Sequence, residues 1–159
     1  MKAQDKEKIE VVHRACQQIR PIYPDYATRP IQDGFSWSSS LAGCVFDRLY
    51  LIVFRSVRRP NADLDLLLDH DDRAYEKALE SGGLLRYFKG EANERRECLS
   101  FCLWKTRGQA MEAAGAASHQ AAADISLLIY ESYVLERYWL KQAVTAREER
   151  LIFESIQPA

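Results

Sequence analysis

The chain has 159 residues, 47% hydrophobic and 28% charged, a balance that excludes wholesale disorder and suffices for one domain plus an extension. Its 22 basic and 23 acidic residues leave a net charge of −1 with no one-signed block, which argues against the basic stripe of a nucleic-acid binder. No apolar run approaches the roughly 20 residues of a bilayer span, and residues 1–7 open no apolar signal core. A soluble cytoplasmic protein is expected.

Residues 1–46 read as an arm. Ile9, Val12, Ala15, Cys16 and Ile19 fall at helical spacing within Asp5–Arg20, and Pro21 stops that helix. Pro21, Pro24 and Pro30 then impose an irregular extended stretch bearing Tyr23, Tyr26, Phe35 and Trp37. So many aromatics predict packing onto the body of the protein or onto a partner subunit.

The α+β domain is expected over 47–140. Leu49–Phe54 is a continuous apolar run, the pattern of a strand covered on both faces. Pro60-Asn61-Ala62-Asp63 supplies a turn and a helix cap. Leu64, Leu67, Leu68, Tyr75, Ala78 and Leu79 then line one face of a helix ending at Gly82-Gly83. Strands are predicted at Leu84–Phe88 and Cys98–Trp104, joined by a polar hairpin. Thr106-x-x-Gln109 has the capping-box form and opens a second helix through Ala114. An interruption at 115–118 and a further short helix capped by Ser118 lead to a fourth strand, Ile129–Tyr138. In the tail, 141–159, residues Arg150–Ile156 fit either a strand or a helix end.

Strand-helix-strand twice over is the β-α-β-β-α-β order of a ferredoxin-like sheet. Two helices cover one face, yet strands one and three are apolar at successive positions, so the second face also needs cover. Two sheets packed across a twofold axis supply it, which predicts a homodimeric α+β barrel. Cys98 and Cys102, on one face of a strand, stand about 13 Å apart, too far to bridge. No Cys/His spacing suits a metal, and all four cysteines read as reduced thiols.

The passage Ser100-Phe101-Cys102-Leu103-Trp104-Lys105-Thr106-Arg107-Gly108-Gln109-Ala110 is similar to an aromatic-x-x-Trp-x-Ser/Thr-x-x-x-Ala junction, with His119 following near the next helix start. With the element order, it makes residues 48–140 resemble the dimeric α+β barrel superfamily, and within it the antibiotic-biosynthesis-monooxygenase-like proteins. That resemblance implies a pocket between sheet and helices for aromatic or polyketide-like molecules, sometimes with cofactor-free oxygen chemistry. Isomerases, decarboxylases, cyclases and proteins of no known activity share the family, so fold does not choose among them.

Several residues are candidates for chemistry. Asp71 falls near the middle of the apolar stripe of the Leu64–Leu79 helix, where a carboxylate is costly to bury unpaired. It reads as a base with a burial-raised pKa, or as the ion-pair partner of an arginine such as Arg86. His119, after a cap, reads as a neutral imidazole at a helix start, or as an exposed or core histidine. His70 belongs to the rim of the stripe. Tyr87, Trp104, Tyr130 and Tyr133 offer rings and polar tips to an aromatic ligand, or simply pack. Alternation along the fourth strand places Tyr130 and Tyr133 on opposite faces. Arg86, in an apolar strand, suits a carboxylate or enolate, or an ion pair with Asp71 or Glu131. Arg55, Arg58, Arg59, Arg95 and Arg96 read as solvated strand ends.

Nucleotide and metal motifs are missing from the sequence, so no cofactor and no metal are expected. The leading expectation is a cofactor-independent oxygenase, cyclase or isomerase acting on a hydrophobic aromatic or polyketide-like molecule. His119 or Asp71 would abstract a proton, and Arg86 and tyrosine hydroxyls would stabilise the resulting enolate or phenolate. The alternative is a non-catalytic dimer that binds a small molecule or another protein.

Overall fold

The structure is a computed structural model that describes residues 2–115, 124–144 and 149–157. Five strands form one antiparallel sheet: β1 (Arg48–Arg58), β2 (Leu84–Phe88), β3 (Glu97–Trp104), β4 (Tyr130–Val144) and β5 (Glu149–Ser155). Their order across the sheet is β2-β3-β1-β4-β5. The first four follow the ferredoxin-like order expected from the sequence, and β5 extends the sheet beyond β4. The tail segment with two possible readings is therefore a strand.

Seven helical segments surround the sheet among the described residues. The arm contributes α1 (Ala3–Cys16), a 3₁₀ turn (Tyr26–Thr28), α2 (Ile31–Gly34) and α3 (Trp37–Ser40). The domain contributes α4 (Leu64–Glu80), α5 (Arg107–Ala113) and α6, a helical stretch over 124–129 that runs directly into β4. The predicted caps form. Asp63 accepts from the Leu66 N–H at 3.0 Å, and Thr106 Oγ1 accepts from the Gln109 N–H at 3.1 Å. After α4 the chain turns through Gly82 at φ +79°, the left-handed conformation that glycine adopts without strain. Gly90 has a different reason to be glycine: a Cβ there would lie 1.9 Å from the Leu99 carbonyl oxygen.

Strand alternation divides the core in two. On one face Leu49, Leu51 and Val53 of β1 join Leu99, Phe101 and Leu103 of β3 beneath the arm, which inserts Val12, Cys16, Ile19, Ile31, Phe35, Trp37 and Leu41. On the other face Tyr50, Ile52 and Phe54 join Cys102 and Trp104 beneath Ala78 of α4 and Ala110 of α5. The arm's aromatics are the densest part of this core. Phe35 meets Phe101 edge-on at 5.1 Å, and Trp37 sits 5.1 Å from Phe101 and 5.4 Å from Phe153. The Trp37 indole N–H donates to the Ile31 carbonyl at 2.8 Å, so its one polar group is satisfied.

This packing changes the reasoning about assembly. The chain's own first 46 residues cover the sheet face that the sequence reading gave to a twin subunit. Among the described residues the arm covers that face, so the packing there does not itself require a second subunit. Arg55, expected at a solvated strand end, fastens the arm instead. It donates to the carbonyls of Ala27 and Arg29 at 2.9 Å each and to Glu136 of β4 at 2.5 Å. Glu136 in turn accepts from the Tyr138 hydroxyl at 2.6 Å. All four cysteines are unpaired and buried. No helix among the described residues is long and apolar enough to cross a membrane.

Two outcomes follow from the cover the arm provides. Replacing Trp37 by Ala is expected to cost about 3–5 kcal/mol in urea unfolding, the range for deleting a buried Trp. A chain lacking residues 1–46 is expected to aggregate or precipitate at concentrations where the full chain stays in solution, read by sedimentation. Full stability of the Trp37→Ala variant would refute the packing.

Candidate functional site

Helix α4 lies over the second sheet face and buries Leu67 and Ala78. Positions 67, 71, 74 and 78 recur every three or four residues, so Asp71 belongs to that same inward line. It is half-buried, with 22% of its side chain exposed, and its Oδ2 lies 3.6 Å from Lys89 Nζ. Burial raises the Asp71 pKa above the usual carboxylate value, and the Lys89 and His70 charges pull it part of the way back. Lys89 thus takes the partnership that the sequence reading offered to Arg86. His70 is half-buried beside Asp71.

The three candidate tyrosines share this face. Tyr87 of β2 stands opposite Cys102, whose other neighbour is Ile52. Tyr133 of β4 stands opposite Ser56. Tyr130 joins them because the ladder slips: Val57 faces Ser132 and Arg58 faces Tyr130, leaving Glu131 without a partner across β1. The expectation of opposite faces for Tyr130 and Tyr133 is therefore corrected. Their rings stack at 5.2 Å, and Tyr133 lies 6.3 Å from Phe54. Burial pushes Tyr130 up to about 12 and raises Tyr87 and Tyr133 well above the ordinary phenol value. The Asp71 charge adds to the shift at all three. These phenols stay protonated at neutral pH, able to donate hydrogen bonds to an anion beside Asp71.

The remaining candidates lie elsewhere. Trp104 is buried between β3, α4 and α5, and its indole N–H has no acceptor among the described residues. Arg86 does not approach Asp71. A register shift between Leu84 and Arg86 turns it toward the arm, where Nη2 donates to the Ile19 carbonyl at 3.2 Å. Glu131, its other suggested partner, pairs with Arg96 at 3.2 Å. Arg58, expected to be solvated, has a buried Nε without an acceptor among the described residues. His119 lies outside the described residues, so the structure places it neither near nor far from Asp71. Among the described residues, no three His, Cys, Asp or Glu gather as a metal site would require.

Sequence reasoning missed two contributors. Lys89 follows β2 in a polar turn and carries no pattern of its own. The β4 bulge leaves no mark on alternation, although Arg96, which donates to the Arg58 carbonyl at 2.8 Å and pairs with Glu131 at 3.2 Å, explains how that corner is held.

A family model described as PB2B2.08-like matches residues 2–154. No curated protein matches the sequence. The fold is similar to Rv0793 from Mycobacterium tuberculosis, with 16% identity, 62% of this chain and 98% of that one covered, and a TM-score of 0.46. A protein of Nitrosomonas europaea named as a candidate antibiotic biosynthesis monooxygenase is 11% identical, with 61% and 92% covered and a TM-score of 0.49. SnoaB from Streptomyces nogalater, a cofactor-independent oxygenase, is 12% identical, with 65% and 100% covered and a TM-score of 0.45. Likeness at this level says nothing of substrate or chemistry.

Asp71 makes stability depend on pH. Its folded-state pKa lies above the ordinary aspartate value of 3.8, so between those two values the folded chain binds more protons than the unfolded one. Its contribution therefore falls as pH rises through that window. Asp71→Asn is expected to be more stable than the parent at neutral pH, with the difference vanishing below about pH 3. Urea midpoints measured across pH check this, and a variant less stable at neutral pH would show that Lys89 outweighs burial.

Proposed function

From a chain that belongs to the PB2B2.08-like family, and from the site its second sheet face carries, we propose a cofactor-independent enzyme that moves a proton on a hydrophobic aromatic molecule. One observation carries the reading: a carboxyl raised by burial faces Tyr87, Tyr130 and Tyr133, phenols that remain donors at neutral pH. A carboxylate with a raised pKa is a stronger base, and it is matched to a C–H or O–H made acidic by an adjoining carbonyl. The tyrosine hydroxyls and Lys89 would hold the enolate or phenolate that forms. His119 is kept as a second candidate for proton transfer. The resemblance to antibiotic-biosynthesis-monooxygenase-like proteins adds oxygenation, cyclisation or isomerisation as fates of such an anion. Four buried, unpaired thiols suit a reducing compartment, and we place the protein in the cytoplasm.

A second reading has its own support. Leu64, Leu68, Tyr75 and Leu79 form an apolar stripe along α4 beside its buried line, each more than two-fifths exposed. Such a stripe suits a non-catalytic interaction module.

Deuterium exchange at the α-carbon of 2-tetralone, read by NMR, separates the two. The protein is expected to accelerate exchange, and Asp71→Asn to slow it about a hundredfold, within the usual contribution of a general base. No acceleration by the parent, or unchanged exchange in both Asp71→Asn and His119→Gln, removes the enzymatic reading and leaves the interaction module.

A further inference from the structure

We infer that the groove along the free edge of β2 binds an organic anion with an aromatic body, its carboxylate held by Arg86. This site shares Tyr87 with the Asp71 face and does not depend on the chemistry proposed there. The groove encloses about 420 Å³ and is lined by His13 and Gln17 of α1, Tyr75 and Leu79 of α4, and Leu84–Tyr87 of β2. Strand β2 is the outermost strand of the sheet, so two helices flank an edge that no further strand covers.

The cation in this wall lacks a counter-charge. Among the described residues Arg86 makes no ion pair, and its guanidinium is held by the Ile19 carbonyl at 3.2 Å and the Tyr87 carbonyl at 3.5 Å. Its Nε is buried without an acceptor. Burial also lowers the Arg86 pKa, the direction expected of a cation deprived of water without a compensating anion. Partly buried guanidinium groups are ordinarily matched by a carboxylate. Here the groove is where one can arrive.

The rest of the wall suits such a ligand. His13 and Gln17 are one helical turn apart and so present polar tips to the same side. Gln17 Nε2 donates to the Leu85 carbonyl, which satisfies an outward backbone group of the edge strand and leaves the imidazole of His13 without such a task. Tyr75 stands 5.4 Å from Tyr87 with the rings tilted by 30°, an aromatic wall beside Leu79 and Leu84. A guanidinium, an imidazole and the tilted ring pair together select a flat acid over a neutral aromatic.

Calorimetric titration of the full chain with 2-naphthoate and with 2-naphthamide tests the site. The acid is expected to bind at least about tenfold more tightly than the amide. Arg86→Met should erase that preference, Arg86→Lys should restore part of it, and Asp71→Asn should leave it intact. Three results each overturn the inference: no binding of the acid to the parent, equal affinity for acid and amide, or a preference that survives Arg86→Met. Loss of binding in Asp71→Asn with Arg86→Met unaffected would instead move the anion to the Asp71 face.

Discussion

The sheet is apolar on both faces, and everything else in the structure answers that constraint. A strand such as Leu49-Tyr50-Leu51-Ile52-Val53-Phe54 cannot leave either side in water, because each large side chain is worth about 1.5–3 kcal/mol when fully buried. Helices α4 and α5 cover one side. The arm covers the other with Trp37, Phe35 and Ile31, and Arg55 fixes its backbone by two carbonyls. A second copy of the sheet is one physical solution to the same demand. This chain carries its solution in cis, over a stretch that sets it apart from a bare ferredoxin-like unit.

Closing one face in this way decides where a ligand can go. The arm side is filled by interlocked rings and has its polar groups matched: Trp37 to Ile31, Arg55 to Glu136, Glu136 to Tyr138. A groove of about 480 Å³ remains beside them, lined by residues that include Thr28, Arg29, Arg55 and Val57, while the candidate residues for chemistry lie on the helix side and on the edge strand β2. Those regions also have the irregular ladders. The slip at Val57/Arg58 gathers Tyr130 with Tyr133, and the slip at Leu84/Arg86 turns Arg86 out of the Asp71 site.

The elements were legible because each has a period or a punctuation mark. Leu84–Phe88 was readable between Gly82-Gly83 and a polar turn, and α4 between Asp63 and Gly82. Asp71 was legible as a carboxyl in an apolar stripe, and its inward position follows from helical geometry alone. The destination of the arm was not legible, since Pro-punctuated coil has no period to assign its aromatics to a face. Bulges were invisible for the opposite reason: alternation continues through them in sequence while one residue drops out of the pairing. Hence alternation alone sets Tyr130 on the face opposite Tyr133 and leaves Arg86 open to Asp71, Glu131 or a ligand, whereas the ladder slips put Tyr130 beside Tyr133 and turn Arg86 toward the arm. Arginines at strand ends look alike in sequence, whether they fasten an arm, as Arg55 does, or sit with a buried unpaired nitrogen, as Arg58 does.

The distribution of unmet polar groups supports the same division from a different direction. A buried donor without an acceptor costs roughly 1–3 kcal/mol, so a fold keeps few of them. The buried side-chain nitrogens without an acceptor among the described residues are in Arg58, Arg86 and Trp104. Two of these face the helix side and one lines the edge groove, while the arm-side groups named above are paired. The burial-raised Asp71 belongs to the helix side as well. A chain that packs one face so completely has the means to satisfy the other. The unmet nitrogens of Arg58 and Trp104 gather with Asp71 on the helix side, where the proposed chemistry lies, and that of Arg86 is turned toward the arm.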